Sequence, residues 1–169
     1  MSGAEAPRAP IALALAVTVA ALVVDQASKL WILKGTDLAD GGAIGLLPVL
    51  DLVLVWNRGI SYGLFQQDDP VGRWGLVGFT VLAAVVLSVW MLRTNRRLVA
   101  ASLALIVGGA IGNLIDRVAY GAVVDFVYFH VGSFSWYVFN LADVWIVAGV
   151  AGLLYDSFRP GHTDASKVN

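Results

Sequence analysis

Carboxylate and amide side chains gather in the stretch from residue 108 to residue 143, which is otherwise mostly apolar. Three aspartates, Asp116, Asp125 and Asp143, lie there in or beside segments that look membrane-embedded. An ionisable group at such depth costs several kcal/mol unless it is paired or used, so it indicates a functional site. Two aspartates that face each other in a low-dielectric site share a proton, because both cannot ionise easily. Such a pair can activate water and polarise a carbonyl, which is peptide hydrolysis without a covalent intermediate.

Other hydrolytic chemistries have little support in the sequence. The chain has no cysteine, which excludes thiolate catalysis, disulfides and cysteine-metal sites. The two histidines, His130 and His162, lie far apart and show no metal-ligand spacing, so we expect neither a metal nor a cofactor. Asp125 and Asp143 are therefore the natural catalytic pair, with Arg117 and nearby asparagines to orient them and the substrate.

Composition indicates an integral membrane protein of one domain. Of the 169 residues 59% are hydrophobic and only 14% are charged, against about 25% in soluble domains. The mean hydropathy is +0.78. The net charge of -1 gives no reason to expect a nucleic-acid partner.

Four apolar segments predict transmembrane helices, since about 20 apolar residues cross a bilayer. They cover residues 11–33, 72–92, 98–115 and 138–155. We expect the first to be a transmembrane helix rather than a cleaved signal peptide, because no small-x-small site follows its apolar run. Residues 50–56 are strand-prone, and a turn signal at residues 57–59 precedes a possible return over residues 60–65. Residues 123–131 and 134–138 predict a second strand pair.

The fold class that follows is an all-α membrane protein of four transmembrane helices with a small extracytoplasmic β-platform. Basic residues in short loops mark the cytoplasmic side. Three arginines occupy the connector at residues 93–97, and further basic residues flank the first and last spans. Both termini should therefore be cytoplasmic, and the polar residues of separate segments should meet at the outer membrane surface.

Purely structural interpretations remain open for most of these residues. Asp25 and Lys29, four residues apart with the acid first, can be only an ion pair within a helix. Asp116 and Arg117 can be a salt bridge that ties a helix to a loop. Asn113 can simply hydrogen-bond backbone groups or another asparagine between helices.

The loop and fourth-span residues differ in how well a structural role explains them. Asn140 can also bond between helices, and Asp125 alone can be a solvated loop aspartate. Asp143 is harder to explain, because it lies in an apolar segment with no cation near it in sequence. A proton-coupled transporter or channel subunit would also use buried aspartates, although its polar groups would lie near the midplane. A structural membrane subunit is the third alternative.

Five sequence blocks, taken together and in order, resemble the bacterial lipoprotein signal peptidases (signal peptidase II). The resemblance covers nearly the whole chain. The blocks are D-Q-A-S-K (25–29), N-R-G-I-S-Y-G (57–63), G-G-A-I-G-N-L-I-D-R (108–117), V-V-D-F (123–126) and F-N-L-A-D (139–143).

The resemblance implies an aspartic endopeptidase with Asp125 and Asp143 as the catalytic dyad. It implies four transmembrane helices with an extracytoplasmic β-cradle and a short amphipathic helix. The residues that match other motif positions, and are implied to shape the site, are Asp25, Lys29, Asn57, Gly59, Asn113, Asp116, Arg117, Asn140 and Ala142.

Partners and location are implied in the same way. The enzymes of this family cleave prolipoproteins just before a cysteine that already carries diacylglycerol, so membrane lipid is part of the substrate. They reside in the bacterial cytoplasmic (inner) membrane and are inhibited by the cyclic peptide globomycin. The main departure is I-S-Y at residues 60–62, where A-A-F or similar is commoner. This difference concerns the substrate groove and leaves the active site intact.

Overall fold

The computed structural model describes residues 10–59 and 70–159, which form a helical bundle with a small sheet. The expected return strand at residues 60–65 and both chain ends lie outside this part. The helices are α1 (Ile11–Gly35), α2 (Pro70–Arg93), α3 (Arg97–Tyr120) and α4 (Leu141–Ser157), with a 3₁₀ turn at Asp37–Asp40. The strands are β1 (Ile44–Leu47), β2 (Leu50–Asn57), β3 (Val123–Val131) and β4 (Phe134–Ser135).

Three of these helices are long and apolar enough to cross a membrane by length and composition, namely Ile11–Gly35, Val71–Arg93 and Arg97–Tyr120. The fourth helix has 17 residues. At 1.5 Å per residue it rises about 26 Å, somewhat less than the roughly 30 Å hydrocarbon core of a bilayer. The chain is thus a mostly helical, multi-pass membrane protein.

Helix α3 lies at the centre of the bundle and contacts α1, α2 and α4. Small residues allow the close contact with α4. A methyl group built on Gly109 would collide with the carbonyl oxygen of Ala142, and one on Gly149 would collide with the carbonyl oxygen of Ser102. The two helices therefore pack almost backbone to backbone, as small residues permit between membrane helices.

The ends of α3 and α4 differ from the expected limits, for identifiable reasons. Helix α3 continues past residue 115 to Tyr120, because the carboxylate of Asp116 pairs with the buried Lys29 and can stay within the helix. It ends at Gly121, whose φ of 79° is the left-handed conformation that glycine adopts easily. Helix α4 begins at Leu141 rather than near residue 138, because the backbone of Phe139 is bound to Val127 of β3.

The sheet is antiparallel with strand order β1-β2-β3-β4. Strand β2 pairs with β1 on one side and with β3 on the other. Val55 lies opposite Asp125, and Asn57 lies opposite Val123. One face of the sheet packs on the end of α1 through Ile32, Leu38, Leu52, Val124 and Phe126. This packing fixes β3, and with it Asp125, against the helical bundle.

Candidate active site

Asp125 lies on β3 with only 2% of its surface exposed. Asn57 Nδ2 donates to Asp125 Oδ2 at 2.9 Å, and Asn140 Nδ2 donates to Asp125 Oδ1 at 2.6 Å. The pairing of β2 with β3 brings Asn57 alongside, and the bond of Phe139 to β3 brings Asn140. Two side-chain amides thus hold the two oxygens of this carboxylate.

The surroundings of Asp125 disfavour its ionised form. Burial, and next the negative charge of Asp143, raise the pKa of Asp125 from 3.8 to about 7. The amides of Asn57 and Asn140 and the charge of Lys29 act in the opposite direction, but are outweighed. Asp125 can therefore hold or release a proton near neutral pH, as a general acid must.

Asp143 lies in the first turn of α4 and forms a capping box with Asn140. The backbone N–H of Asp143 donates to Asn140 Oδ1 at 3.1 Å, and the backbone N–H of Asn140 donates to Asp143 Oδ2 at 3.2 Å. Asn113 Nδ2 donates to the other oxygen of Asp143 at 3.0 Å. The positive end of α4 favours a negative charge at this position.

Asn140 connects the two aspartates directly. It is fully buried, its side-chain nitrogen binds Asp125, and its backbone nitrogen binds Asp143. The same side-chain nitrogen also donates to Asn113 Oδ1 at 3.1 Å, so the two asparagines bond to each other between elements as expected. A single residue thereby sets the position of one carboxylate relative to the other.

The expected Asp25–Lys29 ion pair is present at 2.9 Å, but Asp116 does not pair with Arg117. Asp116 Oδ2 lies 2.8 Å from Lys29 Nζ instead. The salt-bridge interpretation of Asp116 and Arg117 was wrong, because the two neighbouring side chains leave α3 toward different elements. Arg117 reaches the carbonyl oxygen of Gly59 at 3.2 Å.

The other expected site residues also join this network. The N–H of Gly59 donates to Asn57 Oδ1 at 3.0 Å, which fixes the amide that binds Asp125. The N–H of Ala142 donates to Asp25 Oδ1 at 2.9 Å. The structure therefore brings all the sequence-predicted site residues together through direct contacts.

The two aspartates line a cleft of about 320 Å³. Its other lining residues include Asn57 and Arg117 and apolar residues of α2, α3 and α4 such as Ile106. Asp143 also lines a second, apolar cleft of about 310 Å³, together with residues of α4 and aromatic side chains. Within residues 10–59 and 70–159, no group of three or more His, Cys, Asp or Glu is arranged to hold a metal ion.

Two residues of the network were not predicted as site residues. Gln26 Nε2 lies within 3.2 Å of Asp25, Asp116 and the carbonyl oxygen of Gly112. Arg73 binds the carbonyl oxygen of Arg117 at 2.9 Å and so holds the end of α3. Gln26 could have been found as a polar residue inside an apolar helix, but no pattern in the sequence indicates the target of Arg73.

Comparisons with known proteins identify the relatives of this chain. The family model described as signal peptidase (SPase) II matches residues 17–159. A lipoprotein signal peptidase of Methylorubrum extorquens (strain PA1) is 59% identical over 146 residues, covering 86% of this chain and 85% of that protein. One of Nitrobacter hamburgensis is 58% identical over 163 residues, covering 94% and 98%.

A solved structure of a bacterial membrane enzyme has the same fold, with a TM-score of 0.80 and 22% sequence identity, covering 98% of this chain and 100% of that one. A second such structure has a TM-score of 0.77 and 21% identity, covering 92% and 99%. At these identities the likeness concerns the fold alone. The family match and the identity to curated relatives go further: the chain belongs to the signal peptidase II family of membrane peptidases.

Proposed function

We propose that this protein is an aspartic endopeptidase that removes the signal peptide from diacylglyceryl-modified prolipoproteins. Asp125 and Asp143 form its catalytic dyad and activate the water that cleaves the peptide bond before the lipidated cysteine. The observation that carries this proposal is the position of Asn140. Its side chain binds one carboxylate and its backbone binds the other, and both carboxylates line one cleft.

The environments of the two aspartates support a division of labour. Asp143 is the base: it lies at the positive end of α4 and accepts hydrogen bonds from Asn140 and Asn113. Asp125 is the acid, since its raised pKa keeps a proton on it up to about pH 7. Asymmetry of this kind assigns acid and base in a carboxylate pair.

The reaction then proceeds by ordinary general acid–base steps. Asp143 takes a proton from water while the water oxygen bonds to the scissile carbonyl carbon. Asp125 donates its proton to the carbonyl oxygen. In the collapse of the resulting diol, Asp143 delivers its proton to the leaving nitrogen and Asp125 regains a proton from a hydroxyl. The C–N bond breaks, giving a carboxylic acid on the signal peptide and a free amine on the cysteine.

The two clefts suit a substrate that is itself in the membrane. The larger cleft, between α2, α3 and α4, suits the apolar helix of a signal peptide. The apolar cleft along α4 suits an acyl chain of the modified cysteine, with Trp136 and Phe139 among its lining residues. Tyr137 and Asp143 line both clefts, so the proposed scissile bond lies where they meet. We expect globomycin, a cyclic peptide, to compete for this position.

The proposed topology is a single integral membrane domain over residues 1–169, in the bacterial inner membrane, with α4 as a fourth span and both termini cytoplasmic. The packing of α4 along α3 supports α4 as a span, because Gly109 of α3 meets Ala142 of α4 and Gly149 of α4 meets Ser102 of α3, about two turns away along both helices. A chain without cysteine allows a direct test by single-cysteine labelling. A membrane-impermeant thiol reagent should label Ser133→Cys in intact cells and Asn95→Cys only after permeabilisation. The reverse pattern would refute the orientation.

Cleavage in detergent tests the function. Purified protein is incubated with a diacylglyceryl-modified prolipoprotein and, in parallel, with the same precursor without lipid. We expect cleavage of the lipidated precursor only, and none by folded Asp125→Asn or Asp143→Asn. Asp51→Asn is the matched control, because Asp51 is also a strand carboxylate but is bound to His130 away from the cleft. A fully active Asp143→Asn protein would refute the dyad.

A further inference from the structure

The ammonium group of Lys29 is buried and uses all its donors. Only 2% of the residue is exposed. Its nitrogen lies 2.9 Å from Asp25 Oδ2, 2.8 Å from Asp116 Oδ2 and 3.0 Å from Asn113 Oδ1. An ammonium has three N–H donors, and here each of them has an acceptor. One acceptor, Asp25, is on α1 itself, and the other two, Asp116 and Asn113, are on α3.

The two carboxylates that bind Lys29 also hold the backbone beside each catalytic aspartate. Asp25 Oδ1 accepts the N–H of Ala142 at 2.9 Å. Asp116 Oδ2 accepts the N–H of Val124 at 3.1 Å. Ala142 immediately precedes Asp143, and Val124 immediately precedes Asp125. One cation thus links the two backbone segments from which the dyad projects.

Lys29, together with the side-chain nitrogen of Asn140, determines which way the Asn113 amide faces. An asparagine side chain has an acceptor end and a donor end of almost the same shape. Lys29 can only donate, so the oxygen of Asn113 must face it, and the nitrogen then faces Asp143 at 3.0 Å. With the amide reversed, Asn113 would present its oxygen to a carboxylate and lose the hydrogen bond.

We infer that Lys29, with Asp25 and Asp116, is the positioning clamp of the dyad: it fixes the separation of the two aspartates and the orientation of Asn113. Lys29 does not contact the cleft, so it acts through other residues and not on the substrate. The expected effect of Lys29 on the cleavage rate rests on the proposed function, whereas its expected effect on the backbone beside the two aspartates does not. A buried charge cluster is a poor source of stability compared with apolar packing, and is better explained by the geometry that it specifies.

The pH profile distinguishes this role from simple support of the fold. The charged groups around Asp125 are Asp143 on α4, Lys29 on α1, and Asp116 and Arg117 on α3. The neutral amides of Asn57 and Asn140 complete its surroundings. Removing the positive charge of Lys29 removes one influence that lowers the pKa of Asp125. The alkaline limb of the rate profile, where the acid loses its proton, should therefore move to higher pH.

Two variants and one control test the clamp. Lys29→Met keeps the length of the side chain but leaves two buried acids without their cation. Lys29→Met/Asp116→Asn restores the net charge of the cluster to −1, so it provides a second variant where the first fails to fold. Lys34→Met is the control, because Lys34 is exposed near the end of the same helix.

We expect kcat on the lipidated precursor to fall by about 100-fold, as for other residues that orient catalytic groups, with KM within about threefold. We also expect the alkaline limb of Lys29→Met to move up. In both variants the amides of Ala142 and Val124 should exchange with deuterium faster in the substrate-free protein. The control should match the wild type in all three readouts. Folded variants with the wild-type kcat and pH profile would overturn the inference. A wild-type protein that does not cleave the lipidated precursor would refute the proposed function. The clamp would then be tested by amide exchange alone, and unchanged exchange of Ala142 and Val124 in the Lys29 variants would overturn it.

Discussion

Replacing Asp125 with asparagine should stabilise the folded protein, and should do so more at pH 8 than at pH 5. Burial and the charge of Asp143 raise the pKa of Asp125 from 3.8 to about 7 in the folded state. Asp125 binds its proton more tightly in the folded protein than in the unfolded chain. The free energy of unfolding therefore falls as the pH rises from 3.8 to about 7. Asparagine cannot ionise and escapes this penalty.

The magnitude follows from the two pKa values. Each unit of difference is worth about 1.4 kcal/mol, so ionisation of Asp125 costs the folded state about 4 kcal/mol at pH 8 and about 2 kcal/mol at pH 5. Both oxygens of Asp125 accept amide hydrogens from Asn57 and Asn140. The new amide can satisfy only one of these donors, which costs about 1 kcal/mol at every pH. The net gain is therefore about 3 kcal/mol at pH 8 and about 1 kcal/mol at pH 5.

Thermal unfolding in detergent, followed by tryptophan fluorescence, measures this difference. A chain of this size shifts its Tm by about 2–4 °C per kcal/mol, so Asp125→Asn should melt on the order of 6–12 °C higher at pH 8 and only a few degrees higher at pH 5. Asp40→Asn is the control, because Asp40 is an exposed carboxylate in the 3₁₀ turn and should change neither value. An equal gain at both pH values would refute the reasoning, since the advantage would then not come from ionisation.

Two further predictions concern the support of the dyad. Gly112→Ala should destabilise the protein by about 1–3 kcal/mol and abolish cleavage, because the added methyl group collides with the carboxylate of Asp25. Gly78→Ala is the control. Its methyl group meets no atom within 4 Å, so this variant should behave as wild type in melting and cleavage assays. Asn57→Ala removes a hydrogen bond that lowers the pKa of Asp125, so the alkaline limb of kcat against pH should move to higher pH. A limb that stays in place or moves down would contradict the assignment of Asp125 as the protonated acid.

The sequence predicts the convergence of the polar residues because the hydrophobic effect restricts where charges can go. Asp25, Asn113 and Asp143 belong to three separate apolar segments, and they meet because each needs polar partners that the surrounding residues do not offer. Helical spacing also correctly pairs Asp25 with Lys29. These features depend on composition and on local geometry, which a single sequence contains.

The partners of neighbouring residues are not predictable in the same way. Asp116 and Arg117 are adjacent in sequence, and mutual attraction is the simplest expectation, but successive residues of a helix point about 100° apart. Asp116 therefore reaches α1 and Arg117 reaches the turn at Gly59. The strand order is likewise non-local, because β2 pairs with β3 across two intervening helices. Such choices depend on how the helices pack, which no local pattern specifies.

The start of α4 shows how closely folding and the proposed catalysis are linked here. Asn140 uses its side-chain oxygen and backbone nitrogen to begin the helix, and its side-chain nitrogen to hold Asp125. The partner of Asn140 in the capping box is Asp143, the third residue of α4. The carboxylate that stabilises the helix end is therefore also the proposed base. A helix start is normally free to shift by a residue or fray. Here any such shift would separate Asp143 from Asn113 and Asn140 together, so the energy that fixes the end of the helix also fixes the dyad.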